Sequence, residues 1–458
     1  MNRENFTSRI GAILAAAGSA VGLGNVWRFP IETGQNGGAA FIIIYILCIV
    51  LLGLPVMISE FLIGRYTHTN TAGAYRILSR GGRWRWLGRM GVFTGWFILC
   101  YYVVVGGWTL HYTYLSATNA FSGVASSEFG DIFNQFVSNP WMPLFWFVLF
   151  LLLTHYVIIR GVQSGIEKFS KILMPTLFII VIFLAVSSIM LPGASAGVEF
   201  LLQPDWSKVD SKVIIEAMGQ AFFSLSLGMG CLCTYASYFD KSTPLAKTAV
   251  HVCVIDTLIA VLAGFIIFPS IFNIGMNPNE VGVGASLTFI SLPNVFQQSL
   301  GEGSIMAVVF SALFYFLLFV AALTSAISLH EVATAYVTEE FGLTRQRGAT
   351  IVTATILLLG SVCSLSFGPF ADIKILDRNI FSLFDDTAGM ILLPLGVMFI
   401  SLFAGWKLDR ELYRNEISNH GDLRTPYFRL LIISLRYIAP LAIAMVFLDQ
   451  LGLFHFLR

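Results

Sequence analysis

The chain has 458 residues, of which 56% are hydrophobic and 12% charged, with a formal net charge of +1. Soluble domains run near a quarter charged, so a set of ordinary soluble domains is excluded. A balance this close to neutral gives no electrostatic case for nucleic acid.

Apolar runs of about 20 residues or more, enough to cross the hydrocarbon core as helices, recur from end to end. Helices satisfy their own backbone groups in lipid, and the runs are far longer than the ~10-residue alternating segments of a barrel. The pattern predicts an all-α membrane protein with eleven transmembrane spans, near 10–34, 39–64, 88–119, 141–160, 167–191, 213–239, 246–273, 304–338, 349–367, 379–405 and 427–453. Arg65, Arg76, Arg80, Arg83, Arg85 and Arg89 follow span 2. Arg160, Lys168 and Lys171 lie between spans 4 and 5, Arg345 and Arg347 between 8 and 9, and Lys407, Arg410, Arg414 and Arg424 between 10 and 11. The 3–4 and 7–8 loops lack Lys and Arg. The positive-inside rule then makes the N-terminus cytoplasmic and, with an odd count, the C-terminus external. No cleavable leader is evident, because Arg3, Glu4 and Arg9 lead directly into span 1. Cys48, Cys100, Cys231, Cys233, Cys253 and Cys363 all sit in apolar runs and read as free core thiols.

Two spans are anomalous. Span 1 carries Gly18, Gly22 and Gly24 at its centre, and span 6 reads SLSLGMG over 224–230. Each Gly costs a helix roughly 1 kcal/mol relative to Ala. Close helix packing through small residues is one explanation. The two segments open corresponding halves of the chain, however, and paired glycine-interrupted spans point to a transport site between inverted repeats. A break near Leu23 and Gly24 presents N–H groups and a positive dipole end suited to a carboxylate. Carbonyls around Gly18, Ala20 and Val21, with the Asn25 side chain, suit a hard cation. Phe223, Ser224 and Ser226 add oxygens from span 6. On span 8, Ala321, Thr324 and Ser325 share one face, although Thr and Ser also bond within their own helix. Asp256 in mid-span 7 costs about 2.5–3.5 kcal/mol on insertion scales. It reads as cation-linked, the alternative being a protonated packing contact. Glu60 in span 2 reads as a partner for N–H groups freed by a break.

These residues resemble the neurotransmitter:sodium symporter family over nearly the whole chain, through AAAGSAVGLGNVWRFP (15–30), NGG (36–38), ISEFLIGRY (58–66), GQAFFSLSLGMG (219–230), TYASY (234–238) and LTSAIS (323–328). The resemblance implies a LeuT-type 5+5 inverted repeat. Residues 1–191 would form the first repeat (spans 1–5), 213–405 the second (spans 6–10), and 427–458 an additional span 11. It implies two Na+ sites. One uses Ala20, Asn25, Ser224, Asp256 and the substrate carboxylate. The other uses carbonyls of Gly18, Val21 and Ala321 with hydroxyls of Thr324 and Ser325. The substrate carboxylate would meet Leu23, Gly24 and the Tyr102 hydroxyl. Its ammonium would meet Ala20, Phe223, Ser224 and Ser226. Ile98, Tyr102, Phe223, Met229, Ser325 and Leu329 would line the side-chain pocket. Relatives that carry monoamines have Asp where this chain has Gly22, so the substrate here brings its own carboxylate. An apolar lining with an adaptable Met229 implies hydrophobic L-amino acids, aromatic ones included.

The chain departs from the family pattern at three points. Asp256 stands where many relatives have Asn and need chloride, which implies chloride independence. The chain has eleven spans where many have twelve, so a monomer or weak homodimer is expected. Phe6 stands where the family's leucine transporter has Trp. By the same resemblance, Arg28 and Asp385 with Gln220 form an outer gate. Arg3 and Glu339, with Ser8 and Tyr238 nearby, form an inner one, Arg3 being equally readable as a positive-inside anchor. Gly165 and Pro175 match a Gly-X9-Pro motif that loosens span 5 for inward release.

The expectation is sodium-coupled symport of hydrophobic amino acids across the inner (cell) membrane by alternating access. The alternative is an amino-acid sensor or channel-like protein of the same fold. No nucleophile–base pair argues for an enzyme, and His155, His251 and His330 lie in separate spans.

Overall fold

The computed structural model describes residues 4–278 and 284–450. Among these the chain is helical, its one bridge being the short pairing of Ile375 with Arg378. Among the described residues nine helices are long and apolar enough to cross a membrane: 39–67, 85–117, 142–159, 162–189, 245–273, 305–340, 345–365, 380–407 and 428–449. A bent pair, Arg9–Ala20 and Gly24–Gln35, makes a tenth, with a 53° bend at the predicted break in span 1. The sixth predicted segment is two helices, Ser211–Ser224 and Cys231–Ala236, neither long enough to cross alone.

The backbone explains both breaks. In span 1 the helix stops at Ala20, and Val21 turns to an extended ψ of 108°. In span 6, Ser226, Gly228 and Gly230 all have positive φ (53°, 84° and 77°). Gly228 is also crowded, since a Cβ there would lie 3.0 Å from Val397 and 3.1 Å from the Leu393 carbonyl. Its freed N–H donates to Glu60 Oε1 at 2.8 Å. Glu60 therefore has the structural role read from the sequence.

Packing brings the two breaks together. The long helix of span 2 runs beside both halves of span 6, and the first half of span 1 packs among spans 5, 7 and 8. Spans 3 and 8 lie along each other, with spans 4 and 9 behind them. Span 11 is bonded to its neighbours at widened π turns, where carbonyls lack their usual i+4 partners. Ser434 donates to the Leu51 carbonyl in the turn Ile49–Gly53, and Arg436 Nε to the Gly405 carbonyl in the turn Phe403–Lys407, both at 2.5 Å. The connections hold short helices that apolar periodicity did not announce, including Thr71–Leu78, Phe129–Ser138 and Ser195–Leu202.

Candidate functional site

A buried polar cluster lies between the two breaks. Asn25 follows the break in span 1, Ser224 ends the first half of span 6, and Asp256 sits mid-way along Leu245–Asn273; all three are buried. Gly22 N–H donates to Asn25 Oδ1 at 3.0 Å. Asn25 Nδ2 donates to Asp256 Oδ1 at 2.7 Å and reaches the Asp256 carbonyl at 3.1 Å and Ser224 Oγ at 3.2 Å. The Ser224 hydroxyl donates to Asp256 Oδ2 at 2.8 Å. The Tyr45 hydroxyl donates to the same oxygen at 3.3 Å and contacts Ser224 Oγ at 3.1 Å. The donors on this carboxylate are thus an amide, a hydroxyl and a phenol, all neutral. A buried anion held only by neutral donors is costly, and the arrangement complements a cation arriving among these oxygens.

A second set of oxygens gathers on the other side of the break. Ser325 Oγ donates to the Val21 carbonyl at 3.1 Å and lies 3.4 Å from that of Ser19. Thr324 Oγ1 lies 3.0 Å from the Ala321 carbonyl and 3.2 Å from that of Val320, bonding within its own helix. A Cβ on Gly18 would stand 3.4 Å from Thr324 Cβ and from the Met174 sulfur. Ser226, swung out by its positive φ, donates to the Ser19 carbonyl at 2.9 Å.

The space between the sets is bounded by Gly22. A Cβ there would fall 2.5 Å from Ser325 Oγ and 3.0 Å from the Tyr102 hydroxyl. Leu23 N–H donates to the Tyr102 hydroxyl at 3.3 Å. Phe223 leans on Gly24, its ring carbons 3.0 and 3.1 Å from a built Cβ. Ile98, Met229 and Leu329 are buried. Span 3 approaches the break closely at Gly95, where a Cβ would meet the Met229 carbonyl at 2.9 Å.

Polar contacts close both ends. On one side Arg28 lies over the Phe223 ring at 4.9 Å and pairs with Glu32 at 3.4 Å. Asp385 lies against the Tyr101 hydroxyl, and Gln220 Nε2 donates to the Gly24 carbonyl at 3.3 Å. On the other side the Tyr238 hydroxyl donates to Glu331 Oε1 at 2.6 Å, and Arg345 grips the same carboxylate at 2.5 and 3.0 Å. Glu339 accepts from Asn70 N–H at 2.7 Å and from Thr69 Oγ1 at 3.0 Å. Arg3 lies outside the described residues. Gly165 belongs to the wide turn Val162–Glu167 that opens span 5, and a Cβ on it would strike the Val157 carbonyl. Pro175 lies inside the helix that follows, beside Met174. At the end of this turn Glu167 accepts from Thr7 N–H and Oγ1, both at 2.7 Å, and from Ser8 Oγ at 3.0 Å, strapping the N-terminal segment to span 5.

This geometry has relatives. The model of the Sodium:neurotransmitter symporter family matches residues 3–129 and 132–456. The chain belongs to the sodium:neurotransmitter symporter family. An uncharacterized sodium-dependent transporter of Bacillus subtilis, YhdH, is 37% identical over 98% of both chains. One from Haemophilus influenzae is 33% identical, again over 98% of each. Among solved structures, that of MhsT in complex with L-phenylalanine superposes with a TM-score of 0.87 at 42% identity, covering 98% of this chain and all of that one. Members of the family are sodium-coupled membrane transporters, not enzymes. Membership carries sodium use and a multi-pass membrane location with it.

Several residues of this family member's site escaped the sequence reading. Tyr45 lies inside the most apolar helix, where a phenol reads as packing. Ser19 works through its carbonyl, which no side-chain pattern reveals. Glu32 and Glu331 belong to none of the motifs singled out in the sequence, and Arg345 reads there only as a loop charge between spans 8 and 9. His155 and His330, read as scattered, both contact Thr353 Oγ1 at 2.8 Å and so meet across spans 4, 8 and 9.

Proposed function

We propose that this protein is a symporter importing hydrophobic L-amino acids, aromatic and branched-chain ones included, with two Na+ ions and without need of chloride. The observation that carries the reading is the fully buried Asp256 carboxylate, held by neutral donors from spans 1, 2 and 6 beside a broken helix. One ion would take Ala20, Asn25, Ser224, Asp256 and the substrate carboxylate. The other would take Gly18, Val21, Ala321, Thr324 and Ser325. A carboxylate at Asp256 would serve where a chloride otherwise balances the ion.

Gly22 supports an amino-acid cargo. Its face has no room for a side-chain carboxylate, so the substrate supplies one, directed at the N–H groups of Leu23 and Gly24. An apolar side chain fits Ile98, Phe223, Met229 and Leu329, in keeping with the phenylalanine bound to the similar MhsT.

The architecture that fits this role has eleven spans, with span 6 counted across its break. Spans 1–5 and 6–10 would be inverted repeats, span 11 an addition, the N-terminus cytoplasmic and the C-terminus outside the inner membrane. The unit would be a monomer or weak homodimer. A bundle of spans 1, 2, 6 and 7 tilts against the rest, with Arg28, Gln220 and Asp385 guarding the outer path and Tyr238, Glu339 and Arg3 the inner. Thermal stabilisation across a panel of amino acids, with Na+ and with K+, tests the reading. Stabilisation by phenylalanine and leucine only in Na+ is expected. Preference for a charged amino acid or an amine overturns the substrate class. Uptake that collapses when gluconate replaces chloride overturns chloride independence.

A further inference from the structure

We propose that the turn joining spans 2 and 3 is a binding site for the phosphate of an anionic phospholipid, formed by Arg85 and Arg89 on Trp86 with the exposed Arg80 and Arg83 just before them in the same turn. This rests on the orientation given above, in which this turn faces the cytoplasmic leaflet.

Four observations meet here. The Arg85 and Arg89 guanidiniums lie 5.8 and 4.7 Å from the centre of the Trp86 ring. Trp86 itself is 57% exposed, at the first turn of the helix Arg85–Ala117. Arg80, Arg83, Arg85 and Arg89 are all exposed, and among the described residues none of the four forms an ion pair. Arg76 differs: Glu340 holds it at 2.7 Å. The turn is also fixed in space. Trp84 and Tyr75 pack on Phe403 at 5.4 and 5.1 Å, at the end of span 10 where the exposed Trp406 carries Arg436 over its ring at 4.9 Å.

A tryptophan with an apolar body and a polar edge settles at headgroup depth. Guanidiniums on its face have lost part of their freedom, and their planar forks suit phosphate oxygens. A juxtamembrane cluster of such charges attracts anionic lipid within about a Debye length. The site also has a mechanical neighbour. Thr71, at the start of the short helix Thr71–Leu78, donates to the Gly230 carbonyl at 3.0 Å and bonds Thr234 Oγ1 at 2.9 Å, beside the break in span 6. A headgroup held by the arginines steadies the bed on which the second half of that span rests.

The test uses the full-length protein in nanodiscs of phosphatidylcholine, alone or mixed with phosphatidylglycerol, and in phosphatidylcholine with inorganic phosphate. Phosphatidylglycerol is expected to raise Tm and to be retained in native mass spectra, with the shift shrinking as salt rises; inorganic phosphate is expected to leave Tm unchanged. The triple variant Arg83→Gln/Arg85→Gln/Arg89→Gln is expected to lose the shift while keeping its Tm in phosphatidylcholine. An equal shift in the variant, or a shift from inorganic phosphate alone, overturns the site. Should the triple variant not fold, Arg85→Gln and Arg89→Gln singly are each expected to lose part of the shift, and no loss in either overturns it. Sodium-driven phenylalanine uptake in matched proteoliposomes separates the two readings. Its failure in every lipid with wild-type protein counts against symport, whereas the lipid shift is read from Tm and mass alone.

Discussion

At Gly22 a single missing Cβ separates two hydroxyls, those of Ser325 and Tyr102, that a side chain would strike. Gly22→Asp therefore introduces a clash and a buried carboxylate together, and is expected to abolish phenylalanine uptake without conferring amine transport; radiolabel uptake with both substrates checks this. Asp256 is the complementary case. Asp256→Asn keeps the shape and removes the charge facing the proposed ion. Half-saturation by Na+ should rise at least tenfold, about 1.4 kcal/mol, and uptake should become chloride-sensitive. Unchanged Na+ dependence would place the ion elsewhere. Tyr45→Phe takes away one hydroxyl that reaches both Ser224 and Asp256. With a net value near 1 kcal/mol per hydrogen bond, a several-fold weaker Na+ dependence is expected, measured by stabilisation against a Na+ series.

Breaks, rather than helices, are the informative elements. Both were legible, because glycine in a lipid-spanning helix is costly and three fall together in span 1. The break in span 6 owes as much to its surroundings: Gly228 abuts span 10, and its N–H needs Glu60. Glu60 could be read as a partner for a break but not for which one, since that depends on the pairing of spans 2 and 6. The wide turns at 49–53, 403–407 and 434–438 left no sequence mark at all. They are resolved by tertiary bonds to Leu51 and Gly405, which period-based reading cannot see. In span 5, Pro175 follows the wide turn at Gly165, with Met174 pressed against Gly18. Restoring the helical hydrogen bond with Pro175→Ala should stiffen the segment beside the proposed second ion set and slow inward release. A single-turnover efflux rate equal to wild type would count against that route.

Across the whole molecule, alternating access requires contacts that are broken when one face opens. The bond from Tyr238 to Glu331 joins the second half of span 6 to span 8, and so the proposed moving bundle to its frame. Arg345 reinforces it from span 9, holding Glu331 and the Ile158 carbonyl at once. Each Na+ entering at 100 mV inside-negative supplies about 2.3 kcal/mol, comparable to the net worth of a charge-assisted hydrogen bond. A latch of that strength can hold the inner face shut until the cargo is bound and still release within one cycle. Tyr238→Phe removes the link and leaves the Glu331–Arg345 pair intact, so the fold should hold while the inward-open population grows. Glu331→Gln instead leaves the buried side of Arg345 without its carboxylate, and should cost about 3–5 kcal/mol in stability. Cysteine accessibility from the cytoplasmic side, measured in Na+ and in K+, distinguishes them. In Tyr238→Phe, Na+ should no longer fully protect the inner path; complete protection would mean that the latch lies elsewhere.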